Sequence, residues 1–155
     1  MKHVSVKIVV ALILGLFISG VSAQDFGDHS SSTLTTKAWG ELGQGNNDMA
    51  IKYVDKCIEL YMEQAKKMQS ELKDYVSADN SEKVSSYWAL NDVGTCLFIK
   101  GQALIKKGDK KGAVAVFKQL TDALKYAQCW DDNGWFWKPT EAAKKMIVEM
   151  NFDAE

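Results

Sequence analysis

LFIKGQALIKKGDKKGAVAVFKQL, residues 97–120, is the stretch whose reading decides the fold. Leu97, Gly101 and Leu104 recur at steps of three and four residues, one stripe of a helix, and the small Gly101 leaves room for a second helix to come close. Gly108 tolerates the positive φ at which a helix stops and reverses, and Asp109 suits the N-cap of the next one. Ala113, Phe117 and Leu120 then form the inner face of the returning helix. The stretch reads as a helical hairpin.

The same pattern stands upstream. Leu34, Ala38, Gly45, Ala50, Val54 and Cys57 match Leu97, Gly101, Gly108, Ala113, Phe117 and Leu120, each pair separated by 63 residues. The first hairpin is predicted to begin with a helix over 33–44 and to turn at Gly45-Asn46-Asn47. Its second helix is predicted over 48–76, since Ala50, Val54, Cys57, Tyr61, Ala65, Met68, Leu72 and Tyr75 make one continuous apolar stripe.

Residues 77–81 break that pattern with turn and cap residues. Tyr87, Leu90, Gly94, Leu97, Gly101 and Leu104 mark a third helix ending near Lys107. Glycine in an exposed helix costs about 1 kcal/mol relative to alanine, so Gly94 and Gly101 are expected to lie against a neighbouring backbone, that of the long second helix. The fourth helix carries Ala113, Phe117, Leu120, Leu124 and Ala127, and Pro139 opens a fifth with Ala143, Met146, Ile147 and Met150 on one side. No alternating strand pattern is present. The expected fold is all-α: two elongated hairpins and a C-terminal capping helix.

Leu97, Gly101 and Leu104, followed by Gly108-Asp109, Ala113 and Phe117, resemble the tetratricopeptide repeat, a helix-turn-helix unit of about 34 residues with small and large residues at these places. The first hairpin resembles it more loosely, through Gly45, Ala50 and Val54, with Glu41 at the tyrosine place. Neither unit has the closing proline. The resemblance implies a right-handed helical stack that holds a peptide or another protein on its concave face.

The chain begins with a basic start at Lys2, His3 and Lys7, an apolar run from Ile8 to Val21, and small residues at Val21-Ser22-Ala23. Residues 1–23 therefore read as a signal peptide cut before Gln24; the run is shorter than the ~20 residues a span needs. Export to a periplasmic or secreted location is expected, with no membrane span after cleavage. The remaining divisions are a flexible leader over 24–32, a tetratricopeptide-like helical domain over 33–127, and an aromatic loop with capping helix over 128–155. Cleavage leaves 17 lysines, no arginine and 20 acidic residues, a net charge of −3. Lysines spread along the chain without arginine do not make a nucleic-acid footprint.

Chemistry is limited by histidine, since His29 alone remains after cleavage. No Ser-His-Asp or Cys-His arrangement, phosphate loop or dinucleotide motif is present. No cofactor or metal is expected, the run Asp131-Asp132-Asn133-Gly134 lacking the alternation of a calcium loop. Cys57 and Cys96 fall on apolar helix faces and are expected buried and unpaired, whereas Cys129, in the loop, is expected to be the thiol that reacts or pairs between chains.

The strongest site candidate is the aromatic loop. Trp130, Trp135 and Trp137, beside Asp131 and Asp132, either seal the open end of the helical stack or stack on a ligand such as a sugar. Asn91 and Lys100 are candidate contacts in a groove between the first and third helices. The expected function is that of a non-catalytic, exported interaction or scaffold module whose partner is another protein or a second copy; the alternative is a carbohydrate-binding or small-ligand protein using the three tryptophans.

Overall fold

The computed structural model describes residues 24–131 and 133–152, the last two by backbone alone; residues 1–23, expected to be a signal peptide, and also Asp132 and 153–155 lie outside the described residues. The chain forms α1 (Ser31–Gly43), α2 (Asn47–Ser70), α3 (Ser81–Ser86), α4 (Trp88–Lys106), α5 (Lys110–Ala123), β1 (Cys129–Asp131), β2 (Trp135–Trp137) and α6 (Pro139–Phe152). It is an all-α fold with one small hairpin of strands.

The two predicted helical reversals are built alike. Gly45 takes φ +82° and Gly108 takes +83°. Asn46 N–H donates to the Glu41 carbonyl at 2.9 Å and Gly45 N–H to that of Leu42 at 3.2 Å; Asp109 N–H donates to Leu104 and Gly108 N–H to Ile105, both at 2.9 Å. These are the two bonds that close a helix C-terminus through a left-handed residue, and they recur at the same 63-residue offset. A side chain at either glycine would be strained. Of the pattern's other members, Leu34, Ala38, Ala50, Val54, Cys57, Leu97, Ala113, Phe117 and Leu120 are 0% exposed and Gly101 is buried. Asp109 also caps α5, its carboxylate accepting from Gly112 N–H at 2.8 Å.

α4 is the centre of the fold and packs against α1, α2, α5 and α6. Its glycines face a different neighbour from the one expected. A Cβ on Gly101 would lie 2.2 Å from Cε1 of Phe117 on α5, and one on Gly94 would lie 2.6 Å from Cβ of Ala127. The side turned to α2 is instead that of Cys96 and Lys100, which meet Cys57 and Asp55. Residues two apart on a helix point about 200° apart, so Gly94 and Cys96 cannot share a neighbour.

α2 stops at Ser70, short of its apolar stripe, so Leu72 and Tyr75 are not helical. The chain leaves the helix to bring Val76 to the buried Gln128. There the Gln128 Oε1 accepts from Val76 N–H at 2.8 Å and its Nε2 donates to the Val76 carbonyl at 2.9 Å. Two backbone bonds to one fixed side chain outweigh continued helical periodicity. Tyr87 similarly divides α3 from α4, and Asn91 Nδ2 reaches back across the break to the Val84 carbonyl at 2.8 Å.

The leader is tied to the first hairpin. Phe26 packs edge-on to Tyr53 with centroids 5.8 Å apart, Tyr53 Oη donates to the Asp25 carbonyl at 3.1 Å, and Tyr61 Oη to the His29 carbonyl at 2.8 Å. Its last two residues, Ser31 and Ser32, already belong to α1.

Candidate functional site

One face of α1 and one of α4 form the floor of the site. On α1, Ser32, Thr35 and Trp39 follow one another at helical steps; on α4, Trp88, Asp92 and Thr95 do the same. The wall beside them is the hairpin of β1 and β2, paired antiparallel with Trp130 opposite Phe136 and Asp131 opposite Trp135. A region expected to be an irregular loop is therefore a short ladder. Its turn is made by Asp131, whose Oδ1 accepts from Asn133 N–H at 2.8 Å and from Asn133 Nδ2 at 2.6 Å, and by Gly134 at φ +93°. A three-residue strand shows little alternation to read, which is why the sequence pattern passed over it.

Two open depressions meet on this face. The larger, about 680 Å³, is lined by Thr36, Trp39, Phe98, Trp130, Asp131, Trp135, Trp137 and Ala142. The second, about 400 Å³, runs between α1, α3 and α4 past Thr35, Trp88, Asp92, Thr95 and Cys129, and shares Trp39, Trp130 and Trp137 with the first.

The three loop tryptophans divide by role. Trp137 is partly buried against the core, 5.2 Å from Phe98 and 6.5 Å from Trp39 between ring centroids, and Phe98 in turn lies 5.8 Å from Phe117. Rings thus run from the repeat core to the floor of the site. Trp130 and Trp135 instead remain 59% and 55% exposed. They are aromatic surface that folding leaves unused. Trp88 is 43% exposed and braced edge-on by Tyr61 at 5.5 Å.

Asn91 and Lys100 are placed otherwise than expected. Asn91 borders the second depression, but it is buried and its amide is consumed: Nδ2 by the Val84 carbonyl and Oδ1 by Gln128 N–H at 2.9 Å. Lys100 pairs with Asp55 of α2 at 2.5 Å and lines neither depression. Asp131 spends one carboxylate oxygen on the turn, and Asp132 lies outside the described residues.

Sequence reasoning missed Asp92, Trp88 and Trp39 as members of the site. The Trp88, Asp92, Thr95 spacing was the available signal, hidden because α4 was read through its apolar stripe. Asp92 accepts from Ser31 Oγ at 2.5 Å across the α1–α4 seam. Burial raises its pKa, and the Ser31 hydrogen bond opposes that only in part.

The cysteines depart from expectation at one position. Cys57 and Cys96 are buried and free. Cys129, expected to be reactive, holds its Sγ 2.6 Å from Thr95 Oγ1 and 3.3 Å from the Asn91 carbonyl, and burial pushes its pKa up to about 12. The strand turns this half-buried thiol onto Thr95, at the side of the second depression.

Residues 95–123, the end of α4 and the whole of α5, match the family model of the tetratricopeptide repeat. The second hairpin is similar to a tetratricopeptide repeat. The chain is tetratricopeptide-like beyond the matched span, since the first hairpin repeats its turn and its buried positions. Comparison with curated proteins and with solved structures returned no match. α1 and α4, the first helices of the two hairpins, form the floor of the two depressions. The match suggests a protein-interaction module. Among the described residues no helix is long and apolar enough to cross a membrane.

Proposed function

We propose that this protein is an exported, non-catalytic interaction module that holds a segment of another protein in the groove over α1 and α4. The observation that carries the reading is the pair of exposed indoles, Trp130 and Trp135, standing at the edge of a depression that a tetratricopeptide surface already provides. Exposed tryptophans beside an open depression have the composition of an interface hot spot. Export is supported by the basic start, apolar run and small residues of 1–23. The non-catalytic reading is supported by the sequence after that segment, whose one histidine, His29, precedes α1.

The test is capture of a partner by chemical cross-linking of the mature chain, residues 24–155, in its envelope extract. A partner retained by the native protein and lost from Trp130→Ala and Trp135→Ala, with both variants melting within about 2 °C of the parent, supports the proposal. Equal retention by the variants refutes the groove as the binding face. The carbohydrate reading uses the same two rings and is favoured by their exposure beside Asp131. Tryptophan emission titrated with an oligosaccharide panel tests it, and a flat response removes it.

A further inference from the structure

The charge of the groove says more than its shape. In a chain with 19 lysines, the described residues lining the two depressions include two aspartates, Asp92 and Asp131, and no lysine. Asp131 spends one oxygen on its exposed turn, where it accepts two hydrogen bonds. Asp92, on the floor between α1 and α4, has Ser31 Oγ as its one hydrogen-bond donor among the described residues, on Oδ2, and no described lysine pairs with it. A carboxylate half-withdrawn from water, without a cation, among aromatic rings is costly to keep unless a cation arrives. Trp39, Trp88 and Trp130 line the same depression, and indole faces attract cations.

We propose that the groove recognises the ammonium group of a lysine side chain on the partner polypeptide, with Asp92 as its counter-ion and the indoles of Trp39, Trp88 and Trp130 as its walls. This rests on the interaction reading above and sharpens it. The geometry favours lysine over arginine because Ser31 already occupies one carboxylate oxygen. A guanidinium fork wants both, whereas an ammonium is satisfied by one oxygen and the ring faces. The lysine methylenes can lie along the indole rings of Trp39, Trp88 and Trp130, so the stem is covered while the charge is paired.

The experiment uses the mature chain with three blocked peptides of equal length, alternating serine with lysine, arginine or glutamate, followed by tryptophan emission. The lysine peptide is expected to bind saturably and more tightly than the arginine peptide, with no response to the glutamate peptide. Asp92→Asn keeps the Ser31 acceptor and should weaken lysine-peptide binding about tenfold or more. Trp88→Leu, at a surface ring, should weaken it severalfold with the fold intact. Unchanged affinity in Asp92→Asn, or equal binding of the glutamate peptide, overturns the inference. If Asp92→Asn still captures the cross-linked partner that Trp130→Ala loses, the lysine assignment fails while the interaction reading stands. If the Trp130 and Trp135 variants also retain it, the groove itself is wrong.

Discussion

Gly101→Ala should destabilise this protein, although alanine is the better helix former. The new Cβ would lie 2.2 Å from Cε1, 2.4 Å from Cζ and 2.7 Å from Cδ1 of Phe117. Ordinary carbon–carbon contact begins near 3.5 Å, so ring and helix must part by about 1 Å. Phe117 is 0% exposed and lies against Phe98, which touches Trp137; the ring has no free side toward which to swing. Overpacking of this kind costs about 3 kcal/mol at the upper end of its usual range, and the gain in helix propensity returns about 1. The net loss should be about 2 kcal/mol, a large part of the ~5 to 15 that holds a domain together.

Gly40→Ala supplies the opposite sign. Gly40 is within α1, exposed, and a Cβ there meets nothing within 4 Å, so the same substitution should stabilise by about 1 kcal/mol. The equivalent pair in the first hairpin is Ala38 with Val54, a larger small residue with a smaller large one. Phe117→Val should therefore cost less in the Gly101→Ala background than alone, by roughly 1 to 2 kcal/mol of coupling. Urea unfolding of residues 24–155, followed by circular dichroism at 222 nm, reads all four variants; that wavelength is the usual helical band. A Gly101→Ala protein as stable as Gly40→Ala refutes the account of the glycine as a close-packing residue.

Gln128→Met should cost about 2 to 3 kcal/mol in the same assay, because the apolar isostere leaves both backbone groups of Val76 and their buried surroundings without partners. Asp92→Asn should gain stability relative to the native chain as pH rises. Below the ordinary carboxylate pKa of 3.8 both folded and unfolded Asp92 are protonated; from there up to its raised folded value the folded form holds its proton more tightly, so native stability falls with pH while that of the asparagine variant does not. Ser31, Cys96 and Cys129 face the carboxylate and are neutral through that range. A pH-independent difference between the two proteins contradicts the burial of Asp92. Cys129, with its pKa near 12, should react slowly with a soluble thiol reagent at pH 8 because little of it is thiolate, and modification as fast as that of a free cysteine would disprove its placement against Thr95.

The hairpins could be read from the chain because their information is local. A glycine that must take positive φ, a cap beside it, and small and large residues at helical steps are all decided within a few residues of one another. That is why Gly45 and Gly108, and the buried residues around them, fall where the pattern puts them. The contrast of Gly101 with Phe117 was likewise visible, and it marks the span that matches the tetratricopeptide repeat.

The site was legible only in pieces. Trp130 and Trp135 announced themselves by composition, yet their exposure, and the sinking of Trp137 beside them, depend on a three-residue strand pairing too short to have a period. The end of α2 was set by Gln128, 52 residues from Val76 along the chain. Asp92 became a half-buried acid when α1 brought Ser31 and Trp39 against α4, and the Cys129 pKa rose when the strand turned the thiol onto Thr95. Periodicity reports which face of an element is turned from water. Which partner waits on that face, and whether a charge there finds a counter-ion, is decided by contacts between elements distant in sequence, and only the packed structure contains them.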